Sequence, residues 1–176
     1  MIKKTLILFL ISSFNLSLAP MTIDRAILAT NNNPDYIEFW PIVAKAWNKM
    51  GVRPTLALIG DENVKIDESL GDVIRFKPIP GIPTGYYAQV IRLLLPAYFE
   101  EEICITSDID MLPLSKDFII GSVVNISEDK FVLYNDKQYE EILQIAPICY
   151  LAAKGKTFKE IFQINDIKEI PQLVKY

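Results

Sequence analysis

Two carboxylates, Asp108 and Asp110, stand one residue apart at the end of an apolar run, in the segment Ile103 to Leu114 that reads ICITSDIDMLPL. In an extended strand, side chains two positions apart share a side, so the pair is expected to project together while Ile109 turns to the core. Ligands of open α/β sheets bind at the carboxyl edge of the strands, and paired hard oxygen donors there suit Mg²⁺ or Mn²⁺ holding a diphosphate. Such an ion acts as a Lewis acid, stabilising negative charge on a leaving group. A solvated turn can carry the same letters. The apolar strand before the pair, and a helix bearing Gln89 and Arg92 upstream of it, favour the chemical reading.

Composition narrows the alternatives. The 176 residues include no histidine, which removes Ser-His-Asp and Cys-His hydrolases, His-ligated zinc and histidine bases together. Lys and Arg number 18 against 22 Asp and Glu, a net charge of −4 with no basic patch, so nucleic acid is not an expected partner. A hydrophobic fraction of 51% with 23% charged residues excludes disorder as the main state.

The elements that must position the pair read as alternating strands and helices, hence an α/β fold with a largely parallel sheet. Arg25 to Thr30 is the first strand, ending at Asn31-Asn32-Asn33-Pro34, where Asn33 can cap a helix and Pro34 take its first position. Ile37, Trp40, Ala44 and Trp47 follow at helical spacing, with a kink or restart expected at Pro41 and a stop at Gly51. Thr55 to Gly60 is a second strand, Asp61 to Asp72 a solvated loop, and Val73 to Phe76 a third strand. A helix is expected from Gly85 to about Pro96, with Tyr86, Gln89 and Arg92 on one face. Glu102 to Ser107 is the fourth strand. Phe131 to Tyr134 and Ile148 to Ala152 read as later strands, with helices near Tyr139 to Ile145 and from Thr157 to about Gln163. Tyr86 and Tyr87 read as packing residues, Lys154 and Lys156 as a solvent-facing pair, and Cys104 and Cys149 as buried thiols in preference to a disulfide.

Three stretches, RAILATNNNPDYIEFWP, GYYAQVIRLLLP and SDIDMLPL, resemble the GT-A glycosyltransferases, the nucleotide-diphospho-sugar transferase superfamily, over roughly Arg25 to Leu114. The resemblance implies a Rossmann-like GT-A fold, with a largely parallel central sheet, flanking helices and part of the C-terminal acceptor half lacking. It implies a metal-dependent transferase moving a sugar from a nucleotide-diphosphate sugar to a glycan, protein or lipid acceptor. Asp108 and Asp110 would bind Mn²⁺ or Mg²⁺. Ala29, Thr30 and Asn31 would meet the nucleotide, and Gln89, Arg92 and Asp108 would approach the donor. The missing histidine departs from the third metal ligand that many of these enzymes use. Two other readings stand beside it: a catalytically incomplete nucleotide- or glycan-binding remnant of the same fold, and a haloacid dehalogenase-type phosphatase, which fits poorly because Met111-Leu112 follows the motif late in the chain.

Residues 1–19 read as a signal-like segment, with Lys3 and Lys4, an apolar run from Leu6 to Ile11 and a small-x-small ending at Ser17-Leu18-Ala19; residues 20–176 are the GT-A-like domain. The apolar run is too short for a stable transmembrane span. Export to a secretory compartment is expected, or a cytoplasmic location if translation starts at Met21.

Overall fold

A computed structural model describes residues 19–134 and 147–175. The expected helix near Tyr139 to Ile145 and the signal-like segment up to residue 18 lie outside the described residues. The frame is a six-stranded sheet formed by β1 (Arg25–Asn31), β2 (Arg53–Ile59), β3 (Asp72–Phe76), β4 (Ile103–Thr106), β5 (Val132–Leu133) and β6 (Leu151–Lys154). Its order is β3-β2-β1-β4-β6-β5. The first four strands run parallel, β6 is antiparallel to β4, and β5 is antiparallel to β6.

Alternation along the strands builds two cores. Ala26, Leu28, Leu56 and Leu58 face Trp40, Val43, Ala44 and Trp47 of α2 (Trp40–Met50). Ile27, Ala29, Ala57 and Ile59 face Tyr87, Ala88, Ile91 and Leu94 of α3 (Thr84–Leu94). Each parallel strand is therefore apolar on both sides, the pattern that a sheet covered by helices demands. Asn33 accepts from the Asp35 amide and starts the short helix α1 (Pro34–Ile37); the restart expected at Pro41 occurs at Trp40. Gly51, at φ 85°, ends α2 in the left-handed conformation that glycine adopts without steric cost. Helix α4 (Gly155–Ile161) starts where a Cβ on Gly155 would collide with the Pro96 and Phe99 carbonyls, so only glycine admits this approach.

Three expectations need correction. Asp72 belongs to β3, not to a solvated loop, because it answers the buried cation of Arg25. Tyr86 is exposed, whereas Tyr87 packs as expected. The strand expected from Ile148 begins only at Leu151. Residues 148–150 instead make a bend in which Tyr150 takes φ 59°. The Thr106 hydroxyl holds that bend, donating to the Ile148 carbonyl (2.8 Å) and accepting from the Leu151 amide (3.0 Å). Both cysteines are free thiols, Cys104 within the core and Cys149 with its Sγ 3.3 Å from Met111 Sδ.

Candidate functional site

Strand order reverses at β1. The chain moves outward through β2 and β3, then returns to lay β4 on the other side of β1. Such a switch point leaves a crevice beyond the carboxyl ends of the two central strands. A cavity of about 340 Å³ lies there, lined by Ala29, Thr30 and Asn31 from β1, Tyr36 from α1, Gly85, Ala88, Gln89 and Arg92 from α3, and Asp108, Ile109 and Asp110 beyond β4. All seven residues singled out from the sequence thus share one cavity. Tyr36, Gly85, Ala88 and Ile109 join them without having been singled out. Tyr36 could have been found from its place in the first helical turn after β1, next to the same sheet edge.

The carboxylate pair does not sit in extended strand. β4 ends at Thr106, and the motif occupies a turn in which the Met111 amide donates to the Asp108 carbonyl at 3.3 Å. The alternation survives, with Ile109 buried between half-buried Asp108 and exposed Asp110. The turn is anchored from below by the Ser107 amide, which donates to the Ile27 carbonyl of β1 at 2.9 Å. Asn31 is pinned at both ends of its amide, donating through Nδ2 to Thr84 Oγ1 (3.0 Å) and accepting at Oδ1 from the Asn33 amide (3.1 Å). That bond ties the end of β1 to the start of α3. No side chain caps this helix, and Gly85 of its first turn faces the cavity, so the positive end of the helix dipole adjoins it.

Arg92 is the cation of the site. Only 4% of it is exposed. Its Nη1 donates to Asp108 Oδ1 and, at 3.3 Å, to the Ser107 carbonyl, while its buried Nε has no partner. Burial lowers its pKa, and the nearby Asp110 carboxylate offsets this only in part. Cys149 itself is pushed up to about 11, chiefly by burial, so it stands as a protonated thiol near neutral pH and offers no nucleophile. Lys154 and Lys156 lie elsewhere, near Glu101 and Glu128 and near Glu160 respectively.

The donor chemistry fits a hard divalent cation. Asp108 and Asp110 offer carboxylate oxygens at one cavity, and the remaining positions of an octahedral ion suit water and phosphate oxygens. No group of three or more His, Cys, Asp or Glu side chains suited to a metal ion occurs among the described residues.

Neither a protein-family model nor a curated protein matches the chain. Among solved structures, the glycosyltransferase GlyE of Streptococcus pneumoniae TIGR4 aligns with 85% of this chain and 37% of its own, at 14% identity and a TM-score of 0.50. Its apo form gives a TM-score of 0.49 and 14% identity over 88% of this chain and 42% of its own. The galactosyltransferase LgtC, in complex with donor and acceptor sugar analogs, gives 0.47 and 13% identity over 86% of this chain and 65% of its own. The likeness to the first of these establishes the fold: an α/β, GT-A type glycosyltransferase fold with a mostly parallel six-stranded sheet and flanking helices. The chain spans less than half the length of GlyE.

Proposed function

We propose that the cavity binds a nucleotide-diphosphate sugar with Mn²⁺ or Mg²⁺, and that the protein transfers the sugar to a glycan, protein or lipid acceptor. The observation that carries this reading is the convergence, at the switch point, of the end of β1, the uncapped start of α3 and the Asp108-Asp110 turn on one cavity. In the transfer, the bond from the anomeric carbon to the diphosphate breaks as a bond to an acceptor hydroxyl forms. The hydroxyl proton is released and the nucleoside diphosphate departs. Asp108 and Asp110 would hold the cation, whose chemistry is to stabilise the charge growing on the diphosphate. Arg92 and the amides at the start of α3 would add fixed positive charge directed at the same leaving group. Asn31, locked to Thr84, would present β1 to the nucleotide, with Gln89 beside it.

Calorimetric titration with UDP and GDP, each with and without Mn²⁺, is expected to give binding that Mn²⁺ strengthens. Binding indifferent to the metal would remove the proposed site. A second reading is a nucleotide- or glycan-binding protein without transfer. Release of free or transferred sugar from a bound donor separates the two.

We further propose that the protein is exported by cleavage after Ala19. Met21 is buried in the core and its amide donates to the Ile126 carbonyl at 2.7 Å, while Pro20 bridges Ser127 and the Ala19 carbonyl accepts from the Glu128 amide at 3.1 Å, so the described contacts of the fold begin at the cut itself. Mass spectrometry of the native protein is expected to find Pro20 at the amino terminus; Met1 or Met21 there would reject export by this route. Among the described residues no helix is long and apolar enough to cross a membrane.

A further inference from the structure

We infer that Arg92 is a resident counter-ion that withholds Asp108 from a divalent cation until a polyanionic ligand draws on its guanidinium. The inference rests on the reading of Asp108 and Asp110 as cation ligands and adds a rule for how the site fills.

The two aspartates, alike in sequence, stand in different electrostatic states. Asp108 is half-buried and already ion-paired, through Oδ1, with a guanidinium that is almost wholly enclosed. Asp110 is exposed and forms no ion pair among the described residues. A divalent cation approaching Asp108 therefore meets a fixed positive charge one hydrogen bond away. That charge is screened poorly, because Arg92 is walled off from water.

Arg92 has a reason to leave this arrangement. Its Nε is buried with no acceptor, although an unpaired buried donor is costly. The only described acceptors of its guanidinium are the Asp108 carboxylate and the Ser107 carbonyl, both reached through Nη1. A diphosphate in the cavity offers several charged oxygens, and guanidinium binds phosphate through paired donors. Turning towards such a ligand satisfies the guanidinium better and frees Asp108. Cation and diphosphate are then taken up together, and Arg92 is the positioning residue that couples them.

The test uses the full folded chain and the loss of the free Mn²⁺ signal in electron paramagnetic resonance, so it needs no catalytic turnover. Wild type is expected to bind Mn²⁺ alone feebly and more tightly once UDP is present. Arg92→Met keeps the aliphatic stem but not the charge, and is expected to bind Mn²⁺ alone roughly ten-fold more tightly. Arg92→Lys restores the charge and should bring the affinity back towards wild type. Circular dichroism melts establish that both variants fold. Arg92→Met binding Mn²⁺ no more tightly than wild type, or Arg92→Lys matching Arg92→Met, overturns the counter-ion role. Should neither variant fold, wild type decides, with the Mn²⁺ bound by UDP alone subtracted: protein affinity for Mn²⁺ that UDP leaves unchanged overturns the inference, and protein affinity that UDP raises supports it. Failure of the site itself reads differently. Asp110→Asn would then take up Mn²⁺ with UDP as wild type does, which rejects the ligand assignment and not merely the role of Arg92.

Discussion

Arg25→Leu is expected to destabilise the fold by about 2–3 kcal/mol, below the ~3–5 kcal/mol of a fully buried pair because the carboxylates it leaves, Asp72 and Glu102, are 33% and 38% exposed. Arg25 opens β1 at the end of the sheet opposite the cavity and is only 3% exposed. Its Nε and Nη2 hold both oxygens of Glu102, at 2.6 and 2.9 Å, and its Nη1 reaches Asp72 and Thr55, both at 2.5 Å. The guanidinium also lies 3.8 Å from the centre of the Phe99 ring. One side chain therefore joins β1 to β2, β3 and the start of β4. Leucine would leave Asp72 with Arg53 as its ion-pair partner. Urea denaturation at neutral pH measures the loss; a change within 1 kcal/mol (roughly the worth of an exposed pair) would mean that the network contributes little.

The same network sets a pH dependence. Burial pushes the Asp72 carboxyl upward, but its hydrogen bonds to Arg25 and Arg53 outweigh burial and hold it below the ordinary value. A carboxyl whose folded pKa is depressed stabilises the fold fully above its unfolded pKa of about 3.9 and loses that contribution as the pH falls through the folded value. Wild type should lose stability below about pH 4 by more than Arg25→Leu does. Parallel acid titration curves for the two proteins would contradict this.

The second large effect separates two residues that the sequence presents as equals. Asp108→Asn is expected to lower stability by about 2 kcal/mol, because it strips the buried Arg92 of its anion, whereas Asp110→Asn, at an exposed turn, should change stability by less than about 0.5 kcal/mol. The figure for Asp108 sits below that of a fully buried pair because its side chain is 34% exposed and partly screened. Both substitutions should abolish metal-assisted nucleotide binding under the proposed function, with transfer falling by roughly 10²–10³-fold. Thermal melts and a donor-hydrolysis assay on the two variants provide the comparison. Equal melting temperatures would show that Arg92 does not depend on Asp108.

The corrected elements share a physical origin. Asp61 to Asp72 is mostly polar and acidic, broken only by Val64, Ile66 and Leu70, and nothing in such a run tells a solvated acid from one that answers a buried guanidinium 47 residues away. The segment Ile148 to Ala152 is apolar enough for a strand, yet the Thr106 hydroxyl bends its first half by capturing the Ile148 carbonyl and the Leu151 amide. Tyr86 and Tyr87 are neighbours with equal propensity, and the helix turned only one of them to the core.

What the residues determined unaided is the part governed by short-range rules. Apolar runs and turn residues specified a mostly parallel α/β sheet, the Asn33-Pro34 helix start and the Gly51 stop, because period, capping and left-handed backbone are local properties. The acidic pair at the end of β4, and the helix that would face it, were visible for the same reason. Tertiary structure alone decided that β4 returns beside β1, that the seven candidate residues close on one cavity, and that Arg92 lies against Asp108 and leaves Asp110 unpaired among the described residues. Those are contacts across the sheet between positions far apart in the chain. Their energies depend on burial and charge in three dimensions, which spacing along a sequence does not encode.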